Sequence, residues 1–417
     1  LSRACILTLG CPKNEADSDS FAACLENAGW TLTDDPGDAD LLLLNTCAFI
    51  SPAVEESLEV MDEAVDWKTR RSGRRLVLAG CLPGRFEDDG SGGLEDFDLV
   101  IGPADTRGLG NFLGLAREPF PGVSGSGHIR YLKISEGCSN GCSYCTIPLI
   151  RGSRRDRPEE LILEEARQLV KQGAAEIGVV GQDTGAWNPS GGGVRHLLER
   201  LAAEHPLVWF RLYYVHPAHR IPDLEGLLAG HSNIMPYVDM PVQHFSDEVL
   251  SRMGRGYSGD DLEGIFSEFD GFAPRVSVRT TVITGYPGET EEDFAMLEDF
   301  LARHRCIRTI AAFPYWPEEG TLEFARSTGD DPLPEGTAGW RLSRIGEVAD
   351  MHYRRWGDIL EGEVVQVMAD DGGTGHTRFD APEVDGACSL DRELPPGTVV
   401  SCRITGSEGP DLTGEVI

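Results

Sequence analysis

The sequence predicts a three-domain α/β chain: a doubly wound parallel-sheet domain, a partial TIM-type (βα)6 barrel, and a small OB-like β-barrel. Three observations carry this reading. Apolar runs alternate with helical periodicity over residues 1–120; six more strand-like runs separated by helical stretches follow over 128–356; and short strands with Gly/Asp turns fill 357–417. A chain of 417 residues fits about two to three domains.

In the first domain the runs ACILTLGC, ADLLLLNTC and RLVLAGC each end in a cysteine: Cys11, Cys47 and Cys81. Helical segments such as SDSFAACLENAGW lie between them. Strands buried on both faces of a parallel sheet read as continuous apolar runs. Right-handed crossovers bring all strand C-termini to one edge, where such folds bind ligands. Cysteines 36 and 34 residues apart in sequence therefore converge in space. A single buried thiol after a strand is ordinary core, but three at one structural position point to a metal site. Cys5, Cys24, Cys306, Cys388 and Cys402 lack such company and read as structural thiols.

A Gly/Ser-rich linker, PGVSGSGH, leads into the barrel strands RYLKIS, EIGVVG, VWFRLYY, MPYVDMPV, SVRTTVITG and TIAAFPYW. Just past the first of these comes EGCSNGCSYC, with Cys138, Cys142 and Cys145 spaced C-x3-C-x2-C. Three thiolates this close can wrap one face of a 4Fe–4S cluster and leave the fourth iron free of protein ligands. S-adenosylmethionine chelates such an iron through its amino and carboxylate groups. A zinc site is the alternative, but the spacing lacks the paired C-x2-C knuckles or histidine partners of common zinc modules. Barrel chemistry sits at the C-terminal face, so polar groups at later strand ends become candidates. Tyr144, Gln182 and Gln243 are placed near the cofactor, Arg211 is expected to pair the methionine carboxylate, and Gly285 and Gly288 to admit the adenine. His216, His219 and His244 read as ordinary loop residues. A helical linker, GWRLSRIGEVADMHYRRWGDIL, precedes the tail.

Net charge is −32, and the tail holds 13 acids against 3 bases. Phosphate contacts need a basic face, so direct RNA binding is disfavoured and a basic protein partner suits the surface better. No apolar run reaches the length of a membrane span, and no signal segment precedes the first strand. With cysteines free of any disulfide pattern, a cytoplasmic location is expected.

Taken together, GCPKN (Gly10–Asn14), NTCAFI (Asn45–Ile50), EGCSNGCSYC, IRGSRRDRP (Ile150–Pro158), RTTVITGYPGETEEDF and RFDAPEVDG (Arg378–Gly386) resemble the methylthiotransferase family of the radical SAM superfamily. Within it they resemble the branch that modifies a ribosomal protein more than the tRNA-modifying branch. Glu15–Ala16 and Thr184–Trp187 depart from the usual family wording. The resemblance implies an N-terminal domain with an auxiliary cluster on Cys11, Cys47 and Cys81, a radical SAM core with its cluster on Cys138, Cys142 and Cys145, and a C-terminal TRAM domain. It further implies methylthio transfer to the β-carbon of an aspartate in the decoding-centre protein of the small subunit. One S-adenosylmethionine would donate methyl to sulfur and another yield the 5′-deoxyadenosyl radical, with flavodoxin or ferredoxin as electron donor. Methylthiolation of a tRNA adenosine is the alternative.

Overall fold

The computed structural model describes residues 2–86, 94–116, 122–189, 191–327, 336–382 and 384–417. The expected first boundary near residue 120, and Pro121 of the linker, lie outside the described residues.

The first domain is a five-stranded parallel sheet in the order β2-β1-β3-β4-β5. The strands are β1 (Arg3–Thr8), β2 (Thr31–Leu32), β3 (Leu41–Thr46), β4 (Arg75–Gly80) and β5 (Leu99–Val100). Helices α1 (Pro12–Asn27), α2 (Ser51–Thr69), α3 (Cys81–Arg85) and α4 (Thr106–Phe112) cover it. The LLLL run of β3 is buried throughout because β3 is central, with one face packed against Met61 and Trp67 and the other against Phe21 and Leu25. The three long strands carry the apolar signal. The edge strands, two residues each, leave none.

The barrel sheet is β6 (Ile129–Lys133), β9 (Glu176–Val180), β10 (Trp209–Leu212), β11 (Ile234–Asp239), β12 (Ser277–Thr284) and β13 (Ile307–Pro314) in strict spatial succession, all parallel. A short hairpin, β7 (Ser135–Glu136) with β8 (Arg155–Asp156), brackets the Cys138 loop and helix α5 (Ile147–Arg151). Around the outside run α6 (Glu159–Lys171), α7 (Gly193–Glu204), α8 (Leu224–Gly230), α9 (Asp247–Met253), α10 (Gly259–Asp270) and α11 (Glu291–Arg303). Reciprocal capping boxes start α10 (Ser258 with Asp261) and α11 (Thr290 with Asp293). The ETEED stretch is thus a helix start signal, two orphan donors satisfied by one side-chain pair. After α12 (Leu322–Ser327), the long α13 (Thr337–Leu360) occupies the expected linker and packs on β13.

The tail closes into a five-stranded barrel, β14 (Val364–Ala369), β15 (Thr374–Thr377), β16 (Cys388–Leu390), β18 (Asp411–Val416) and β17 (Val399–Glu408) in that order round the ring. It caps the end of the large barrel where the strands begin. Met368 and Ala381 pack against Tyr131, Trp209, Met235 and Tyr237. Its acids face basic side chains of the barrel domain across this seam: Asp380 meets Arg308 at 2.5 Å, Asp385 meets Arg279 at 3.2 Å, and Asp370 meets His128 at 2.7 Å. Part of the tail's acidity is therefore docking charge. The five thiols read as structural are all buried. Among the described residues no helix is long and apolar enough to cross a membrane.

Candidate active site

Cys11, Cys47 and Cys81 directly follow or N-cap after β1, β3 and β4, three strands adjacent in the sheet. A buried amide exchange fixes this edge. Asn14 donates to Thr46 O at 2.9 Å, and Asn45 donates to Asn14 O and to Ser18 Oγ, each at 2.9 Å. Ser57 donates to Cys47 O at 2.6 Å and Thr46 Oγ1 to Ala79 O at 2.7 Å. Two glycines let the cysteines approach. Gly10 holds φ of +105°, where an added Cβ would lie 2.9 Å from Cys47 Cβ; Gly80 holds φ of +97°, where it would lie 2.6 Å from Thr46 O. Both conformations belong to glycine. Gly80→Ala is expected to cost about 1–3 kcal/mol and to lower bound iron, read by thermal unfolding and metal analysis; unchanged values for both would refute the close-approach argument.

The second cysteine loop is held by backbone from two sides. Cys138 N donates to Gly152 O at 3.1 Å, and Ser143 N to Met253 O at 2.9 Å. Thr146 Oγ1 donates to Phe49 O at 2.8 Å, tying this loop to the first domain. That domain sits over the barrel mouth, anchored further by Arg85 and Ser51 on Glu318. Between the two cysteine sets lies a buried charge network. Lys133 pairs with Asp17 and Glu136, while Arg151 Nη1 pairs with Asp17 and Glu136, both at 3.0 Å. Arg151 Nη2 also donates to Asn14 Oδ1 at 3.1 Å and to Cys81 Sγ at 3.4 Å. Its counterpart at the other set is Arg255, which donates to Cys142 Sγ at 3.4 Å and to the Tyr144 hydroxyl at 3.3 Å. The sequence reading named neither arginine. Arg151 stands inside the quoted IRGSRRDRP run, but only the fold shows what it touches.

Burial pushes the Cys47 thiol up to about 11, with further upward pressure from Cys11 and Cys81. Cys145 rises to about 12, by burial and then by Cys142, and Cys138 rises for the same first reason. Thiols that oppose each other's ionisation in a buried site suit a cationic centre, which deprotonates its ligands outright. Both donor sets fit an iron–sulfur cluster in this respect.

The remaining candidates divide. The Tyr144 ring stands edge-on to Tyr286, with centroids 6.2 Å apart, beside the cysteine loop. Gln182, just past β9, donates to Glu136 Oε1 at 3.3 Å and so joins the charge network. Gln243 takes φ of +67° past the end of β11, and Gly285 takes +75° past β12, both at the mouth. Gly288 has a close neighbour, but it is a side chain of the protein: an added Cβ would fall 1.8 Å from Arg252 Nη1. Arg211 must be corrected. It is fully buried, paired with Glu176 at 2.7 Å, and donates to Thr377 O and Arg378 O of the C-terminal barrel. Its charge is consumed at the opposite end from the cysteines. His219 Nδ1 meets Asp183 at 2.6 Å, and His216 lies within 4.8 Å of both. His216 Nδ1 accepts from Ala218 N, which leaves hydrogen on Nε2 and argues against metal ligation there.

A parallel-sheet domain seated over a six-stranded barrel mouth, with a cysteine triad on each side, defines a radical SAM protein of three domains. Family models agree segment by segment: "Uncharacterized protein family UPF0004" over 3–102, the radical SAM superfamily over 132–301 and the TRAM domain over 361–417. Among solved structures, the radical S-adenosylmethionine methyltransferase TsrM of Kitasatospora setae has a similar fold, with TM-score 0.56 and 16% identity over 78% of this chain and 77% of that one. Closer in sequence are the ribosomal protein uS12 methylthiotransferases RimO of Desulfotalea psychrophila (33% identical, 99% of this chain, 98% of that protein) and Desulfosudis oleivorans (35%, 98% and 99%). The chain belongs to the RimO family.

Proposed function

We propose that this chain transfers a methylthio group to the β-carbon of an aspartate in ribosomal protein uS12, holding one 4Fe–4S cluster on Cys138, Cys142 and Cys145 and another on Cys11, Cys47 and Cys81. The observation that carries this reading is the meeting of two cysteine triads across one barrel mouth, bridged by Arg151, which touches Cys81 and shares Glu136 with the barrel loop. Full-length similarity to relatives named for uS12 supports the substrate. When bound, the clusters and S-adenosylmethionine supply one-electron reduction and delivery of sulfur and methyl, chemistry that no side chain performs.

The protein's own part is placement. An aspartate β-hydrogen has no usable acidity near neutral pH, so orientation and exclusion of water decide the outcome. The Arg151–Asp17–Lys133–Glu136 network seals the seam between the domains, and Gln182 connects it to the end of β9. Arg151 and Arg255 each bring a cationic donor to a cysteine sulfur, and hydrogen bonds to cluster sulfurs raise reduction potential. An electron donor such as flavodoxin or ferredoxin, and a cytoplasmic setting, complete the proposal.

The deciding experiment supplies anaerobic enzyme with purified uS12 and, separately, with tRNA, and reads intact mass. Gain of one methylthio group on uS12 is expected. Gain on tRNA alone overturns the reading.

A further inference from the structure

Lys13 stands out among the cations near the mouth because, among the described residues, it forms neither an ion pair nor a hydrogen bond, whereas Arg255, which also lacks a carboxylate, donates to Cys142, Tyr144, Tyr257 and Pro241. It lies in the first turn of α1, two residues past Cys11, with its ammonium 3.4 Å from the centroid of the Tyr214 ring. Among the described residues no carboxylate lies within ion-pair distance and no acceptor takes its three N–H donors. Its neighbours are fully committed: Lys133 and Arg151 to Asp17 and Glu136, Arg279 to Asp239 and Asp385. Asp239 feels the Lys13 charge but is ion-paired with Arg279 instead; in a chain with 69 acids against 37 bases, a partly buried ammonium that forms no ion pair is the exception. The site is also the positive end of α1, which adds to the lysine charge instead of offsetting it.

Tyr214 is the second observation. It follows β10 at the mouth with φ of +57°, a left-handed conformation that is strained for a residue with a side chain. Hydrogen bonds on either side maintain it: Thr184 N donates to Tyr214 O at 3.0 Å, and Val215 N to Asp239 O at 2.8 Å. The strained turn places an aromatic face under the ammonium. The face of such a ring attracts a cation through its quadrupole and leaves the N–H donors available. The result is a propped, solvent-accessible point charge at the barrel mouth, beside the Cys11 set.

We propose that Lys13, supported by Tyr214, binds the side-chain carboxylate of the substrate residue and so selects an acidic side chain for modification. This rests on the reading of uS12 as substrate and names the residue that recognises it. A charge-assisted hydrogen bond is stronger than a neutral one, so loss of either partner's charge removes binding that the other cannot recover.

The test is a charge cycle read by binding, under oxygen-free conditions, with cluster-loaded protein and labelled uS12. Two uS12 forms are used, with the target aspartate intact or replaced by asparagine, against wild-type, Lys13→Met and Lys13→Arg. Wild-type is expected to bind the aspartate form at least tenfold tighter, Lys13→Met to bind the two forms equally, and Lys13→Arg to keep most of the preference. Iron content, measured first, identifies any variant that disturbs the nearby Cys11. The wild-type comparison needs no variant, and equal wild-type affinity for the two forms overturns the inference while leaving the uS12 assignment intact. Persistence of the preference in iron-replete Lys13→Met also overturns it. If wild-type binds neither form, the substrate reading itself fails and the inference with it.

Discussion

Replacing Cys142 with alanine is expected to reduce 5′-deoxyadenosine formation to background and to lower iron from about eight to about four per chain. Cys142 lies in the loop between β7 and α5, and its sulfur takes the Arg255 hydrogen bond. With two thiols left, a cluster loses one of three anchors, and the cation beside it loses its acceptor. Cys47→Ala should produce the same drop in iron with a different loss. Cys47 belongs to the first domain, at the end of β3, so S-adenosylmethionine cleavage under strong reductant should persist while uS12 gains no methylthio group. The pair of variants separates two sites from one. Full iron retention in Cys47→Ala would mean that the first domain holds no cluster.

The second large effect is expected far from the cysteines. Glu176 is fully buried at the start of β9 and binds Arg211 and His376 at once, the latter at 2.9 Å. Glu176→Ala leaves a guanidinium and an imidazolium in the seam between the barrels without their shared anion. Breaking a buried pair in this way costs roughly 3–5 kcal/mol, to be measured by urea unfolding and by hydrogen exchange in β15. Loss below about 1 kcal/mol would show that water or a rearranged partner replaces the carboxylate.

The same seam predicts sensitivity to alkali. Glu176, then Asp370, hold the His376 imidazolium up to about 9 against an ordinary 6.5, despite burial. A group raised in the folded state contributes fully below about pH 6.5, and that contribution fades as pH rises through about 9. Stability of the C-terminal barrel should therefore fall between those limits, and His376→Asn should flatten the dependence. A profile unchanged by the substitution would place the titration elsewhere.

The fold was legible where burial leaves a one-dimensional trace. Strands covered on both faces are apolar at most positions, with buried charges such as Glu176 and Arg211 as paired exceptions, so β1, β3, β4 and the six barrel strands announce themselves. The edge strands β2 and β5 did not, because two residues carry no period. The cysteines were legible for a related reason: each follows a strand whose end the sequence marks. Arg211 was misread because β10 is only four residues long. Nearness to a strand end then says nothing about which end of the barrel the side chain serves. Its true partners, Glu176 and the carbonyls of Thr377 and Arg378, come from β9 and from a domain more than 160 positions away. The tail's acidity was legible as composition, but that Asp370, Asp380 and Asp385 turn toward basic residues of the barrel domain was not.

Six thiols and their strand-end addresses were written in the chain itself, because local spacing and buried periodicity are properties of contiguous residues. Which charges oppose one another was settled only by the assembled fold. Arg151 reaching Cys81, Lys13 resting on Tyr214, and Arg211 turning to Glu176 all join segments that no spacing rule connects. Coulombic pairing depends on distance through space, and packing of one domain on another sets that distance.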